Sequence, residues 1–366
     1  MRNGIDDMTV FPWLADRGAA HPGSARLLIV DDSAVMRAII AQMFEDNPAV
    51  EVAAMVASAD QAFGWLSTNR ADFILLDHEM PGQSGLAALP RLVDMAQGAH
   101  IIMLSSHCQR GSDVMMKALA SGVSEAVLKP QRTGGISQLA EELSHLFRRL
   151  SLSRQPARID SSPYKMKAIA DDFQPQCIGI GASTGGIRIL ADLFAAVQGK
   201  PGIPVFITQH LPDAFIDGYA QHVGRMIDLP VSVASHGQIV EADHIYIAPG
   251  RASLCCRRHE DAVHIALVEE RDPATLTRPS VNRMFSAMAD CYGDGALGII
   301  LSGIGRDGTL GARRITDAGG AVLAQDRISS VVWGMPGAVV KAGLASAILP
   351  PAKLAPYVSM RSLCHV

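Results

Sequence analysis

The first half of the chain alternates short apolar runs with stretches of helical spacing. The runs fall at 27–30, 50–57, 73–76, 101–104 and 126–128. Between them, Val35, Ile39 and Met43, with Met36, Ile40 and Phe44, recur on one helix face, and Leu139, Leu143, Leu146 and Leu150 make another. Five strands alternating with five helices predict an α/β unit over residues 25–150, a doubly wound five-stranded parallel sheet. From Cys177 the rhythm returns, with runs at 177–180, 203–207, 231–234, 245–248, 263–268, 297–301 and 321–324. The stretch Ile245 to Gly250, followed by Leu254 and by Val263-His264-Ile265, has hairpin spacing. A second doubly wound domain is therefore expected over 175–356, its sheet mixed but mostly parallel and carrying a β-hairpin. Residues 151–174 are polar or helix-breaking and predict a linker, partly helical near Met166 to Ala170. Residues 1–24 have the Gly, Pro and Asp content of a flexible leader, and 357–366 are expected to be a tail.

Composition supports two domains and narrows the partners. A chain of 366 residues is too long for one ordinary core, and 48% apolar residues can fill two. The net charge of -4, with both signs mixed, carries no footprint for nucleic acid or an anionic membrane. Arg2, Asp6, Asp7, Asp16 and Arg17 interrupt any secretory signal, and no apolar run reaches the ~18 residues of a membrane span. A soluble cytoplasmic protein with no membrane insertion is expected. The cysteines, Cys108, Cys177, Cys255, Cys256, Cys291 and Cys364, form no Cys-x-x-Cys spacing and read as reduced thiols.

Chemistry gathers at strand ends. Asp31 and Asp32 close the first run, Asp77 the third, Ser105 the fourth and Lys129 the fifth. Ligands of open α/β sheets bind beyond those ends. Three adjacent carboxylates repel one another unless a hard cation joins them, and Mg²⁺ accepts such oxygen ligands together with a phosphate. Ser105 and Lys129 can then contact a phosphoryl group transferred to Asp77. Simple helix capping by an Asp, or by Ser33, is the plain alternative.

The second half has its own constellation. Cys177 to Ile180 runs into Gly181-Ala182-Ser183-Thr184-Gly185-Gly186 and then a helical pattern, the strand–turn–helix setting of a nucleophile elbow. A dinucleotide fingerprint, a glycine-rich turn without chemistry and an ordinary α/β-hydrolase are the competing readings. His210 ends the run Val205 to Gln209, and Asp307 lies in the turn after Leu301. The order Ser, His, Asp is not that of α/β-hydrolases, but triads are defined by geometry and role. Ser183 would attack an acyl carbon, His210 take its proton, Asp307 orient the imidazole, and the amides of Thr184, Gly185 and Ile304 hold the oxyanion.

Two resemblances follow from these segments. Leu28-Ile29-Val30-Asp31-Asp32-Ser33, Leu76-Asp77 through Gly82, Leu104-Ser105-Ser106 and Leu128-Lys129-Pro130 resemble a response-regulator receiver domain over about 26–148. The resemblance implies Asp77 as phosphoacceptor, Asp31, Asp32 and Asp77 around Mg²⁺, and Ser105 and Lys129 on the phosphoryl group. Ser84 stands where receivers commonly have Asp, and Ala126 where many carry an aromatic switch residue. The segments Ile180 to Gly186, Thr208 to Pro212, Tyr246 to Gly250, Arg278 to Val281, Gly303 to Gly308 and Gly334-Met335-Pro336 are similar to chemotaxis protein-glutamate methylesterases of the CheB type over about 175–355. Ile304, where the family often has Met, and Asn282, where Asp is common, depart from the pattern. The resemblance implies hydrolysis of γ-glutamyl methyl esters on chemoreceptors, deamidation of receptor glutamines, and a chemotaxis histidine kinase as phosphodonor. It also implies that the unphosphorylated receiver covers the Ser183 crevice. A phosphorylation-controlled adaptor without catalysis is the alternative.

Overall fold

The structure is a computed structural model describing residues 24–105, 112–130, 135–154, 164–170, 172–269 and 278–359. The expected leader up to residue 23, part of the expected linker, Ser106, Cys108 and residues 360–366 lie outside the described residues.

The first unit runs β1 (Ala25–Val30), α1 (Ala34–Met43), β2 (Val50–Val56), α2 (Ala59–Leu66), β3 (Phe73–Asp77), α3 (Gly85–Ala96), β4 (His100–Ser105), α4 (Ser112–Ala120), β5 (Glu125–Leu128) and α5 (Ile136–Arg154). Its strands pair in parallel in the order β2-β1-β3-β4-β5. Strands covered on both faces need apolar residues at every position, which is why β1 and β3 read as unbroken runs. Leu28, Val30, Ile74 and Leu76 point to the α3 side with Ala88, Leu89 and Leu92, while Leu27, Ile29, Phe73 and Leu75 point to the side of α1 and α5. There Phe147 stacks on Phe44 at 5.0 Å and on Phe73 at 4.4 Å between ring centroids. Three helices begin at serine caps: Ser33 accepts from Met36 N, Ser58 from Gln61 N, and Ser84 from Ala87 N. Ser84 thus does the capping work of the Asp common in receivers, and Ser33 leaves Asp31 and Asp32 free of that task.

The second unit runs β6 (Cys177–Ala182), α6 (Gly186–Ala195), β7 (Val205–Gln209), α7 (Asp213–Gly224), β8 (Val231–Val233), β9 (Ile245–Ile247), β10 (Ala252–His259), β11 (Ala262–Glu269), α8 (Val281–Tyr292), β12 (Ala296–Ile300), α9 (Thr309–Asp317), β13 (Ala321–Gln325), α10 (Met335–Lys341), β14 (Ala347–Leu349) and α11 (Pro351–Ser359). The seven-stranded sheet has the order β14-β13-β12-β6-β7-β9-β8, and its strand pairs are all parallel. The large sheet is wholly parallel rather than mixed, and the expected β-hairpin is present as β10 and β11, which pair antiparallel in a separate two-stranded sheet. At Gly250 the backbone passes so close to α7 that an added Cβ would sit 2.9 Å from Leu211 O and against the Asp213 backbone. The chain after β9 is pressed onto the start of α7 instead of folding back along β9.

Two boundaries also move. Helix α5 continues to Arg154, into the stretch expected to be linker, and residues 164–170 are irregular where partial helix was expected. Lys167 N donates to Ala345 O at 2.9 Å and Tyr164 lies against Trp333, so this stretch tracks the surface of the second unit. Helix α11 runs past residue 356 because Val358 is fully buried.

The two units share a packed interface. Met115, Leu119 and Val123 of the first join Ile187, Phe215 and Tyr219 of the second in one apolar cluster. Leu143, Leu146 and Leu150 of α5 share another with Ile304 and Val332.

Candidate active site and phosphoryl-acceptor site

The order of the seven-stranded sheet fixes where a ligand can sit. Strand β6 opens the unit, yet it lies at the centre with β12 on one side and β7 on the other. The chain's winding reverses there, leaving a crevice beyond the carboxyl ends of β6 and its neighbours. Ala182 pairs with Gln209, so Ser183 and His210 leave adjacent strands side by side. Asp307 arrives from the turn after β12.

The turn at Ser183 is held on several sides. Ser183 N donates to Ser302 O at 3.0 Å, Gln209 Nε2 donates to Ser183 O at 2.8 Å, and Gly186 N also donates to Ser183 O at 2.8 Å. That last bond engages the Gly186 amide and leaves it no part in an oxyanion site. Ser302 Oγ donates to Thr184 O at 2.8 Å, while Ser302 N donates to Gln325 Oε1 at 2.7 Å. Gly185 adopts φ 77°, and a Cβ there would lie 2.5 Å from Val331 Cβ, so only glycine suits the position. Gly303 backs directly on the nucleophile candidate, with a built Cβ falling 2.8 Å from Ser183 Cβ. Ile304, the next residue, packs into the apolar cluster with Leu143, Leu146 and Leu150 of α5.

Asp307 is 7% exposed and accepts on both oxygens. Oδ1 takes Ser280 Oγ at 3.2 Å, Asn282 N at 3.0 Å and Gly308 N at 3.0 Å. Oδ2 takes Val281 N at 2.7 Å and His210 Nε2 at 2.9 Å. Burial alone would raise its pKa. The bond and charge of His210, with the amides of Asn282 and Val281, outweigh burial and hold the carboxyl below its ordinary value. The N-terminus of α8 is thus the cradle for this carboxylate. His210 Nδ1 is buried without a partner. Asn282 has a second task, its Oδ1 accepting from Gly311 N at 3.0 Å at the start of α9.

The cavity over this site, about 290 Å³, lies between the two units. Ser183, His210, Leu211, Pro212, Gly250 and Arg278 line one wall; Glu125, Ala126, Val127, Glu142, His145 and Leu146 line the other. Thr184 Oγ1 donates to Glu125 Oε2 at 2.9 Å, a polar bond across the interface. Burial raises the pKa of Glu142.

At the other site, one ligand oxygen from each of Asp31, Asp32 and Asp77 lies within 4.8 Å of the others. Lys129 Nζ bridges two of them, 2.7 Å from Asp31 Oδ2 and 2.8 Å from Asp77 Oδ2. Burial raises the Asp77 pKa against the opposing pull of Lys129, while the two carboxylates raise that of Lys129 although burial, the largest single influence, lowers it. The loop is fastened by Arg37 Nη1, which donates to Asp31 O at 2.7 Å and Asp32 O at 3.1 Å. Ser105 ends β4, 2% exposed, and its carbonyl accepts from Lys129 N at 2.8 Å.

The structure brings Ser183, His210 and Asp307 to one crevice and Asp31, Asp32, Asp77, Ser105 and Lys129 to the other strand-end site. The support of Asp307 by Ser280, Val281 and Asn282, the roles of Gln209 and Ser302, and the cover by Glu125, Glu142 and His145 were not foreseen. Only Pro279-Ser280 before an apolar helical pattern, a helix-start signal, was available to hint at the first.

Comparisons with known proteins give the family. The CheB methylesterase family matches residues 178–358, and the response regulator receiver domain family matches 27–141. The chain is 34% identical to protein-glutamate methylesterase/protein-glutamine glutaminase 1 of Rhodospirillum rubrum, covering 92% of this chain and 95% of the relative. It is 33% identical to the protein of the same name without the number from Azospirillum brasilense, covering 93% of each. The crystal structure of the Thermotoga maritima CheB methylesterase catalytic domain is 31% identical, covers 51% of this chain and 98% of that one, and gives a TM-score of 0.49. With a receiver unit in front of a Ser183, His210 and Asp307 crevice, and relatives aligned over nearly their whole length, the chain belongs to the CheB family of protein-glutamate methylesterases.

Proposed function

We propose that this chain hydrolyses glutamate γ-methyl esters on methyl-accepting chemoreceptors in the cytoplasm, deamidates receptor glutamines with the same machinery, and is controlled by phosphorylation of Asp77. The observation that carries the reading is the bond from His210 Nε2 to Asp307 Oδ2, which leaves the buried Nδ1 as the free ring nitrogen in the crevice of Ser183.

With Nε2 tied to Asp307, Nδ1 takes the Ser183 proton as Oγ attacks the γ-carbonyl carbon. The tetrahedral oxyanion is held by the amides of Thr184, Gly185 and Ile304. The imidazolium returns its proton to the leaving oxygen, and methanol departs from an acyl-serine. Water, deprotonated by the same nitrogen, then releases the glutamate carboxylate. A glutamine substrate follows the same path with ammonia as leaving group. Asp307 stays ionised throughout and stabilises the imidazolium.

In the receiver, Asp31, Asp32 and Asp77 have the oxygen donors and spacing that suit Mg²⁺. When bound, the cation offsets the negative charge of the incoming phosphoryl group. Ser105 and Lys129 contact its oxygens, and a chemotaxis histidine kinase supplies it. Without the modification, α5 and β5 cover the crevice and exclude receptor helices; with it, the interface loosens.

Methanol release from methylated receptor membranes tests the reading, with Ser183→Ala expected to lower turnover on the order of 10⁴–10⁶ while the fold persists. A variant that retains a tenth of wild-type turnover would overturn it.

A further inference from the structure

Beneath the Ser183 turn lies a buried polar side chain that takes no part in the hydrolytic steps. Strand β7 sends Val205 and Ile207 into the apolar cluster shared with α6 and α7, and Gln209 falls on the same strand face. That pattern calls for another apolar residue, yet a carboxamide occupies the position at 2% exposure. Its Nε2 donates to Ser183 O at 2.8 Å and to His210 O at 3.3 Å. The two hydrogens of one amide group thus reach the carbonyls of both Ser183 and His210. The opposite orientation would set Oε1 against two carbonyl oxygens, so the amide faces this way. Oε1 is left without a hydrogen-bond partner among the described residues. A Cβ built at Gly186 would lie 2.6 Å from that oxygen, so the last glycine of the turn makes room for the amide. A methionine would fill the place without burying an unpaired acceptor, which is costly and calls for a compensating task.

We propose that Gln209 is a positioning residue of the hydrolytic site, its carboxamide setting the spacing of Ser183 and His210 and aiming the Thr184 amide at the oxyanion. The proposal rests on the hydrolytic reading above and names what holds its parts in register. In a trans peptide the C=O and N–H point to opposite sides. Fixing the Ser183 oxygen therefore fixes the direction of the Thr184 N–H, the donor that follows the nucleophile. Among the described residues, no protein acceptor takes that N–H. Gly186 N also donates to Ser183 O, but from within the turn itself. Gln209 adds the tie to β7 and to the backbone of His210. On the other flank Ser302 O accepts from Ser183 N at 3.0 Å, so the turn is braced from both neighbouring strands. Gln209 acts through two backbone carbonyls, and its loss displaces the donor and the nucleophile relative to the base.

The test uses the full chain in two assays: labelling of Ser183 by a fluorophosphonate, located by peptide mapping, and methanol release from methylated receptor membranes. Gln209→Met fills a similar volume and donates nothing. Its limiting labelling rate and its kcat should each fall roughly 10–100-fold, while the half-saturating reagent concentration and KM stay within about twofold. Its Tm should stay within about 3 °C of wild type, because Ser183 O keeps its bond from Gly186 N and the unpaired Oε1 is gone. Gln209→Glu supplies a second readout, and it decides the matter should the methionine variant fold poorly. A neutral acid there can donate one hydrogen bond to Ser183 O, and its ionised form none. Its kcat as a fraction of wild type should therefore be higher at about pH 6 than at about pH 8, a dependence that a role in folding alone would not produce. A flat or inverted ratio, labelling of Gln209→Met within about threefold of wild type, or a raised KM at unchanged kcat would overturn the proposal. Wild-type Ser183 that takes no label would overturn the hydrolytic reading together with it, whereas equal labelling of wild type and Gln209→Met would overturn the proposal alone.

Discussion

Replacing Asp307 by asparagine isolates what its carboxylate does. Three donors converge on Oδ1 and two, Val281 N and His210 Nε2, on Oδ2. Asparagine keeps a single oxygen. Its amide nitrogen faces fewest donors when it takes the Oδ2 place. The imidazole can then accommodate it by moving its proton to Nδ1 and accepting at Nε2, but the Val281 N–H cannot change role and is left buried without a partner. Such a group costs about 1–3 kcal/mol, and losing an anion at a helix N-terminus costs up to about 2 kcal/mol more. A total near 3 kcal/mol corresponds to a Tm lower by about 6–12 °C for a domain of this size. The proton now on Nδ1 also removes the base from the proposed mechanism, so turnover should fall on the order of 10⁴. The sign with pH is fixed by the depressed Asp307 pKa. Its stabilisation is complete above the ordinary carboxylate value of about 3.9 and is lost as pH falls through the lower folded-state value. The stability gap between wild type and variant should be flat from about pH 5 to 8 and close only in stronger acid. Calorimetry and methanol release read both quantities. A Tm within about 2 °C of wild type, or turnover within tenfold, would refute the argument.

Other perturbations probe the remaining contacts. Glu125→Ala removes the acceptor of the Thr184 hydroxyl, worth about 1 kcal/mol, so esterase turnover without a phosphodonor should rise about fivefold; an unchanged basal rate would count against the proposed cover. Lys129→Met leaves Asp31 and Asp77 facing each other without a cation, an expected loss of about 3–5 kcal/mol in the receiver, and Mg²⁺ should raise the variant's Tm more than the wild type's. Gly185→Ala forces a side chain into φ 77° and onto Val331, so a loss of about 2–4 kcal/mol by denaturant melting is expected; wild-type stability would show that the turn yields easily.

Much of the architecture was readable because fully covered strands advertise themselves as apolar runs. Leu27 to Val30 and Phe73 to Leu76 could be placed from composition alone. Strand β10 escaped notice beyond Leu254 because its last three residues, Arg257 to His259, are polar and exposed. Strand β14 is three residues long at a sheet edge and only partly buried. The close approach of Gly250 to α7 is a contact between segments distant in sequence and has no local signal. The same division runs through the site. Ser183 and His210 carry local strand-end signals, and the pairing of Ala182 with Gln209 brings them together. The ring of donors around Asp307 arises only when α8 docks its first turn against the end of β12, and no local pattern encodes that approach.

The interface shows how the two halves can be coupled where Ala126 replaces an aromatic switch. Strand β5 is four residues long and links both sites. Lys129, just beyond its end, bridges Asp31 and Asp77, while Glu125, at its start, holds the Thr184 hydroxyl. At about 3.3 Å per residue these anchors lie roughly 13 Å apart along one extended segment. On the proposed function, a phosphoryl group on Asp77 would compete for the ammonium that now neutralises two carboxylates and would draw Lys129 away from Asp31. On the proposed function, β5, paired with β4 along its length, would carry such a change from Lys129 toward Glu125. The far end of that strand is the carboxylate touching the residue after Ser183. Ala126, between these two anchors, lines the cavity over Ser183 with a side chain smaller than the aromatic ring many receivers carry there.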